Sequence, residues 1–184
     1  TIATVSSAGL VTSKGNGTAT MTATSGSASA TATVTVDQVI SSITLSDTSQ
    51  TFSSFADTVT ITATVKDAND STIVSATVTW ASSDTTIATV SSAGLVTSKG
   101  NGTATITATS GSASKTATVT VTQVASSVTL SPTSLSLWHV LEGDTASLVP
   151  TVKDANDSTM TGATVTWASS NTGVVTVSSA GLVT

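Results

Sequence analysis

The feature that most constrains the fold is a long internal repeat. The opening segment, TIATVSSAGLVTSKGNGTAT, returns unchanged at residues 86–105, and residues 1–39 match residues 86–124 at 36 of 39 positions. KDANDST and ATVTWASS also recur, at an offset of 87 residues rather than 85. Solenoid repeats have periods of about 20–50 residues. The longer period therefore predicts a whole small domain repeated in tandem.

Within each repeat, apolar and polar residues alternate along short runs. In TVTITATVK, for example, the apolar positions share one face and the Thr residues take the other. Alternation of β-branched residues is typical of half-buried antiparallel strands. Asn101-Gly102 favours a tight turn between two strands of a hairpin. About seven short strands separated by turns predict an all-β sandwich.

The repeat also predicts where the units begin and end. Between units, TVTVDQVISSITL and TVTVTQVASSVTL carry no Gly or Pro, so the connection should be stiffer than a Gly/Ser linker. We predict the second half of a domain at 1–37 (first unit), a complete domain at 38–122 (central unit) and the first two-thirds of a domain at 123–184 (third unit). The chain should therefore contain tandem sandwich domains, one complete and two partial.

The order of the motifs carries a family resemblance. Trp80 stands before a Ser-rich turn and is followed by IATV, GLVT and GTATITAT, while VTLSPTSLSL and EGDTASLVPTVKDANDST precede the second Trp motif. This arrangement resembles bacterial immunoglobulin-like domains of group 2, the intimin/invasin-like kind. The central unit departs from the family pattern at Ala56-Asp57-Thr58, where a Gly is usual. The resemblance implies that the units are tandem immunoglobulin-like antiparallel β-sandwich domains, one complete and two partial. It also implies an extracellular, non-enzymatic protein used in strings on bacterial surfaces or phage particles.

Composition excludes several classes of function. Charged residues make up 8% of the chain, against about 25% in ordinary domains, and the net charge is −5 without any Arg. No basic stripe is present, so nucleic-acid binding is not expected. No apolar run reaches the length of a membrane span, so membrane insertion is not expected either. With one His and no Cys, we expect no enzymatic activity, no catalytic residues and no bound cofactor.

Two acidic loops are the candidate metal sites. Each reads KDANDS, at residues 66–71 and 153–158, and we refer to them as the first and second KDANDS loops. Asp and Asn oxygens at alternate positions can bind Ca²⁺. The alternative is a turn in which these side chains bind their own backbone. The candidate calcium ligands are Asp67, Asn69, Asp70, Asp154, Asn156 and Asp157.

Three tryptophans are the other candidate functional residues. Trp80 and Trp167 close equivalent strands and share a face with Ala and Val, so we expect them to anchor the cores of their units. Trp138 and His139 fall in LSLWHVLEGD, where the units differ in length. One interpretation is an edge strand with Trp138 half exposed. The other is a contact of these two residues with a neighbouring domain or subunit, because aromatic residues are enriched at interfaces.

We therefore expect a structural repeat segment of a long extracellular surface fibre or adhesin stalk, located at a cell surface or, alternatively, on a virion. Its expected partners are neighbouring immunoglobulin-like domains of the same or an identical chain. The alternatives are a recognition module that binds glycans, host protein or a particle surface, and an accessory domain of a secreted hydrolase. Residues 123–184 followed by 13–37 spell one whole unit. The sequence is thus either a window on a longer polymer or a subunit whose ends complement each other.

Overall fold

The structure, a computed structural model, describes residues 1–138 and 143–184 and contains strands but, in that part of the chain, no helix. The strands of the first unit are β1 (Ala3–Val5), β2 (Val11–Ser13), β3 (Gly17–Ser25) and β4 (Ala28–Val36). Those of the central unit are β5 (Ser42–Leu45), β6 (Ser49–Phe52), β7 (Thr58–Thr60), β8 (Ala63–Lys66), β9 (Thr79–Ser82), β10 (Ala88–Val90), β11 (Leu95–Ser98), β12 (Gly102–Ser110) and β13 (Ala113–Val121). Those of the third unit are β14 (Ser127–Ser131), β15 (Ala146–Ser147), β16 (Val149–Lys153) and β17 (Leu182–Val183).

The central unit is a two-layered sandwich, which confirms the all-β immunoglobulin-like class. One layer is the four-stranded sheet β6-β13-β12-β9, in which β6 runs parallel to β13 and the other pairs are antiparallel. The other layer is built from the sheet β10-β11-β7 and the pair β5-β8. The long strands β12 and β13 place every second side chain towards the core, as the period of two requires.

The core of the central unit lies between these layers. Ile61 and Val96 from one layer meet Ile106, Val119 and Val121 from the other, and all five are at most 1% exposed. Small Ala residues fill the remaining inward positions of β12 and β13, so the layers approach closely without large side chains. Burial of these β-branched residues supplies the main stabilisation of the unit.

The run TVTITATVK forms two strands rather than one. Its beginning, β7, pairs with β11, whereas its end, β8, pairs with β5. The alternation predicts which side chains face inwards, and Ile61 and Val65 are indeed buried. It does not reveal the change of partner, because both segments keep the same period of two.

The hairpin predicted at Asn101-Gly102 is wrong. This dipeptide lies between β11 and β12, which belong to different layers, so the chain crosses the sandwich here. The hairpin turn lies ten residues later, between β12 and β13, where Gly111 has a φ of 54°. Gly102 does adopt a positive φ, 138°, but it serves the crossover, where the side chain of Ile87 lies 2.7 Å from the position of a Cβ.

The first unit repeats the local pairing of the central unit. Ala3 pairs with Ser13 as Ala88 pairs with Ser98, and the β3-β4 hairpin has the register of the β12-β13 hairpin over all nine pairs. Its inward face, however, is covered less completely within the described residues: β1 and β2, the counterparts of β10 and β11, contribute Val5 and Val11 to an open groove that Met21 also lines.

Within residues 1–138 and 143–184, no helix is both long and apolar enough to cross a membrane.

Candidate functional site

Each KDANDS loop is a turn organised by its first Asp. One carboxylate oxygen of Asp67, Oδ1, accepts hydrogen bonds from the backbone N–H groups of Asn69, at 2.9 Å, and Ser71, at 3.0 Å. In the second loop, Oδ1 of Asp154 accepts the equivalent bonds from Asn156 and Ser158, both at 3.0 Å. Such bonds from a side chain to the following backbone are the mechanism by which Asp stabilises turns.

The last Asp of each loop adopts a left-handed backbone conformation. The φ angle is 62° at Asp70 and 65° at Asp157, a region that Asn and Asp tolerate better than most residues. Their carboxylates form exposed ion pairs with Lys66, at 2.9 Å, and Lys153, at 3.2 Å. Exposed pairs of this kind contribute little to stability, so the loop conformation depends mainly on the Asp67 and Asp154 turns.

The second oxygen of each turn-forming Asp binds the connection between units. Oδ2 of Asp67 accepts a hydrogen bond from the side-chain amide of Gln38 at 2.8 Å, and Oδ2 of Asp154 accepts one from Gln123 at 2.9 Å. We call the surroundings of Gln38 the first junction and those of Gln123 the second junction. The same hydrogen bond thus ties a loop to the residue that leads into its unit at both junctions.

The same glutamines are also held by the unit that precedes them. The backbone N–H of Gln38 donates to the side-chain oxygen of Asn16, and that of Gln123 donates to Asn101 at 2.7 Å. The Asn-Gly motif therefore has a function that differs from the predicted hairpin turn, because its Asn side chain accepts a bond from the connecting residue. Asn, Gln and Asp form a continuous chain of hydrogen bonds across each junction.

At the second junction, hydrogen bonds also join the second KDANDS loop to residues 55–57 of the central unit. The backbone N–H of Phe55 donates to Oδ2 of Asp154 at 2.9 Å. The side-chain amide of Asn156 donates to the carbonyl oxygen of Phe55 and to the Asp57 carboxylate, each at 2.8 Å. Phe55 and Asp57 flank Ala56, whose φ of 62° forms a sharp turn. The second KDANDS loop is thereby fastened directly to the central unit.

Burial and hydrogen bonding determine the charge state of these carboxylates. Asp154 is only 3% exposed, and this burial raises its pKa, but the N–H donors of Gln123 and Phe55 and those of its own loop outweigh it and leave the pKa below the ordinary value. The amide of Gln38, followed by the N–H of Ser71, lowers the pKa of Asp67. Both junctions are therefore held by carboxylates that are ionised at neutral pH.

Calcium at the KDANDS loops stays a prediction. Both oxygens of Asp154 face N–H donors, two on each oxygen, and a cation would have to compete with them. Among the described residues, no group of three or more His, Asp or Glu side chains lies close enough together to hold a metal ion. The first carboxylate of each loop already accepts hydrogen bonds from the backbone of its own turn and from the glutamine amide of the junction.

Trp80 lies at the centre of its unit, half buried against the core clusters on both sides of it. Gly94 shows how closely it packs, because a Cβ at this position would lie 3.1 Å from the Trp80 ring and 2.2 Å from the carbonyl oxygen of Ile61. In the third unit, Trp167 packs over Gly181 in the same way. It also lines an open groove of about 360 Å³, so one side of the ring lacks the covering layer that Trp80 has.

Trp138 is 76% exposed and lies outside any strand. With Leu135, Leu137 and Val174 it lines a surface groove of about 500 Å³. His139, the other residue predicted at this interface, lies outside the described residues.

The sequence interpretation missed the junction glutamines and the Phe55–Asp57 turn. One signal could have revealed the glutamines. Gln38 and Gln123 occupy equivalent positions of the repeat and are the same residue type, although the residues immediately before them, Asp37 and Thr122, differ. No comparable signal marks the turn, since its role depends on a contact about 100 residues away in the chain.

Comparison with known proteins gives one family match. Residues 39–121, fewer than half of the chain, match the family described as bacterial Ig-like domain (group 2). None of the curated proteins matches the chain.

Solved structures similar to the chain include three of surface layer proteins. They are surface layer protein SbsC, domains 1–6 (24% identity, 86% of this chain, 22% of that chain, TM-score 0.45), S-layer protein SbsC, domains 4 and 5 (26% identity, 66% of each chain, TM-score 0.43), and S-layer protein rSbsC(31-844) (24% identity, 99% of this chain, 26% of that chain, TM-score 0.45). The chain therefore spans about a quarter of the two longer structures.

Proposed function

Residues 39–121 belong to the bacterial immunoglobulin-like domains of group 2, and from this premise we propose that the chain is a non-enzymatic structural segment of an extracellular fibre or stalk at a bacterial surface. The observation that carries the proposal is the hydrogen-bonded junction. It uses the same three residue types at two unit boundaries, and a string of domains needs such a repeated connection to hold its shape.

The junction restricts bending because it joins three segments of chain at one place. At the second junction, Gln123 contacts Asn101 on one side and Asp154 on the other, while Asn156 holds the Phe55–Asp57 turn. A hinge motion would have to break several of these bonds together. The adjacent domains therefore keep one relative orientation, which is what a stalk needs in order to place something at a distance.

The topology of the central unit suits it to bear tension. β6 lies near the entry of the chain and β13 at its exit, and the two strands are parallel. Backbone bonds continue beyond the ladder, from Thr122 to Phe52 at 2.9 Å and from Val124 to Ser53 at 2.8 Å. Pulling the ends of the unit apart shears this contact, so the bonds are loaded together rather than one after another. The unit should therefore resist extension.

The near-identity of the copies also supports a structural function. A string needs the same unit many times, whereas a dedicated binding site does not need to be copied. The low charge of the chain, 8% of residues, leaves little repulsion between neighbouring units. We propose no catalytic function and no cofactor for any unit.

A spin-label experiment tests the stiffness of the second junction. The chain has no Cys, so Ser114→Cys and Thr166→Cys, both at exposed positions, place one label on each side of the junction. We expect a narrow distance distribution that broadens in Asn156→Ala. The matched control is Asn69→Ala, the equivalent residue of the first junction, which should leave this distance unchanged. A broad distribution in the unmodified junction would contradict the proposed stalk.

The recognition module is a second candidate because one aromatic residue is strongly exposed. Trp138 lines its groove with two Leu side chains, and exposed apolar patches commonly mark binding sites. A glycan array tests this candidate with the whole chain. Tight binding that is lost in Trp138→Ala would favour recognition, and no binding to any glycan would favour the structural function alone.

A further inference from the structure

The dipeptide Asn-Gly occurs twice in the chain, and both copies lie at a junction. They are Asn16-Gly17 and Asn101-Gly102, whereas every other Asn precedes Asp or Thr. In each copy, the Asn side chain accepts the backbone N–H of the glutamine that leads into the next unit. An Asn directly before a Gly is also a reactive arrangement, because no side chain shields the backbone nitrogen of the Gly.

We propose that Asn101-Gly102 is a deamidation site whose reaction the second junction controls. In this reaction, the backbone nitrogen of Gly102 attacks Cγ of Asn101, and the new N–C bond closes a succinimide ring. The Cγ–Nδ2 bond breaks, and Nδ2 leaves as ammonia with the proton that the Gly102 nitrogen gives up. Water then opens the ring at either carbonyl carbon, which leaves aspartate or isoaspartate at position 101. Water is the only co-reactant, and both residues are exposed to it.

The closed junction restrains both reacting groups. Oδ1 of Asn101 accepts the backbone N–H of Gln123 at 2.7 Å, and Nδ2 of Asn101 faces Oε1 of Gln123 at 3.4 Å. Gly102 begins β12 and is paired with Val121, so its backbone is held by the β12-β13 ladder. The Asn101 side chain must release Gln123 before Cγ can turn towards the Gly102 nitrogen. The rate of deamidation at Asn101 therefore depends on how often the second junction opens.

The product does not restore the closed junction. The side-chain amide of Gln123 has a fixed direction, because its Oε1 faces the Nδ2 donor of Asn101 and its Nε2 donates to Asp154 at 2.9 Å. A carboxylate at position 101 only accepts hydrogen bonds. Whichever way the Gln123 amide turns, its Oε1 then faces a carboxylate oxygen, at position 101 or at Asp154. Isoaspartate also lengthens the main chain before Gly102, where the Ile87 side chain lies 2.7 Å from the position of a Cβ.

Deamidation rates in the whole chain test the proposal. The chain is incubated at mildly alkaline pH, once folded and once unfolded in urea, and peptide mass spectrometry follows Asn101, Asn16 and Asn156. In urea, we expect the two Asn-Gly sites to react faster than Asn156, which precedes Asp. In the folded chain, Asn101 should react about tenfold more slowly than in urea, because hydrogen bonds of the closed junction must break first. Equal rates at Asn101 in the two states, or no reaction there in urea, would overturn the proposal.

Two matched substitutions assign the protection to the individual junctions. Gln123→Ala removes the side-chain contacts with Asn101 and Asp154, so Asn101 should react about fivefold faster in the folded chain, and Asn16 should not change. Gln38→Ala removes the equivalent bond of the first junction and should accelerate Asn16 alone. In each variant, the Asn-Gly site of the other junction reports within the same molecule whether the fold is kept. Equal acceleration of both sites in both variants would contradict control by the junctions.

A further variant tests the effect of the product on the second junction. Asn101→Asp carries the carboxylate that deamidation leaves, so the amide of Phe55, which donates to Asp154, should exchange its hydrogen about fivefold faster. The matched control is Asn16→Asp, which should leave exchange at Phe55 unchanged. Unchanged exchange in Asn101→Asp would show that the product still closes the junction, against the proposal. The proposal rests on the contacts of the junction and not on the stalk function, so either can fail while the other stands.

Discussion

Residues 1–37 and 86–122 have almost the same sequence and the same strand pairing, but very different burial. Ile106 is fully buried, whereas its counterpart Met21 is half buried at the side of an open groove. The difference arises because β12 and β13 are covered by strands from the preceding part of the central unit. Local sequence therefore determines the hairpin, and the rest of the domain determines whether that hairpin has a core.

The largest expected contrast is at the core tryptophans. Trp80→Ala should destabilise the central unit by about 3–5 kcal/mol, the range for a large aromatic residue in a core. Trp167→Ala should cost clearly less, since its ring faces an open groove. Amide hydrogen exchange of β12 and of β16, measured in the whole chain, reports each unit separately. Equal losses of protection would mean that the third unit is as well packed as the central one.

The hairpin copies give the next contrast. Ile106→Ala should cost about 2–5 kcal/mol, because it leaves a cavity between two packed layers. Met21→Ala should change stability by less than about 0.5 kcal/mol, as for a surface position. Urea unfolding, followed by amide hydrogen exchange at β12 and β3, measures the stability change in each of the two variants. A large loss at Met21 would show that the first unit is covered in solution.

Two glycines separate backbone strain from steric overlap. Gly94 and Gly9 have nearly the same φ, 79° and 81°, but only Gly94 would bring a Cβ within 4 Å of other atoms. Gly9→Ala should therefore cost only the left-handed conformation, about 1–2 kcal/mol. Gly94→Ala should cost more, because the new Cβ would overlap the Ile61 carbonyl and the Trp80 ring. Thermal unfolding of both variants should show the larger decrease of Tm for Gly94→Ala.

The smallest expected effect is the pH dependence of the second junction. The folded protein lowers the pKa of Asp154, so its contribution is fully present above the unfolded pKa of about 3.9 and is lost as the pH falls through the lower folded value. The spin-label distance across this junction should broaden below about pH 4. In Asp154→Asn it should be broad already at neutral pH and change little with pH.

The first junction is the matched control for that measurement. Asp67 has the same loop bonds and the same glutamine partner, but the Phe55–Asp57 turn contacts only the second loop. Asp67→Asn should therefore leave the distance across the second junction unchanged. If both substitutions broadened it equally, the effect would come from the loops themselves rather than from the contact between units.

The sequence predicted the fold class and the core positions because both follow from periodicity. Alternation identified Ile61 and Val65 as inward-facing, and the Trp motifs identified the positions nearest the centre. The hairpin prediction failed at Asn101-Gly102, because the turn preference of a dipeptide does not reveal whether the next strand belongs to the same layer. Gly102 does have the positive φ that the predicted turn needs, but its strand has a different partner.

The candidate site was less predictable for a related reason. The KDANDS loops were recognised from their residue types, and the turn within each loop follows from neighbouring residues. The bonds from Gln123 and Asn156 join segments that are far apart in the chain, and no local pattern carries that information.

The sequence alone determined which runs are extended, which positions face inwards and how the unit repeats, because the period of two depends on residues that are close in the chain. The tertiary structure decided which copies are buried and how Asp154 is bound. Burial and hydrogen bonding depend on which surfaces meet in space, and nearly identical hairpins therefore lie in different environments.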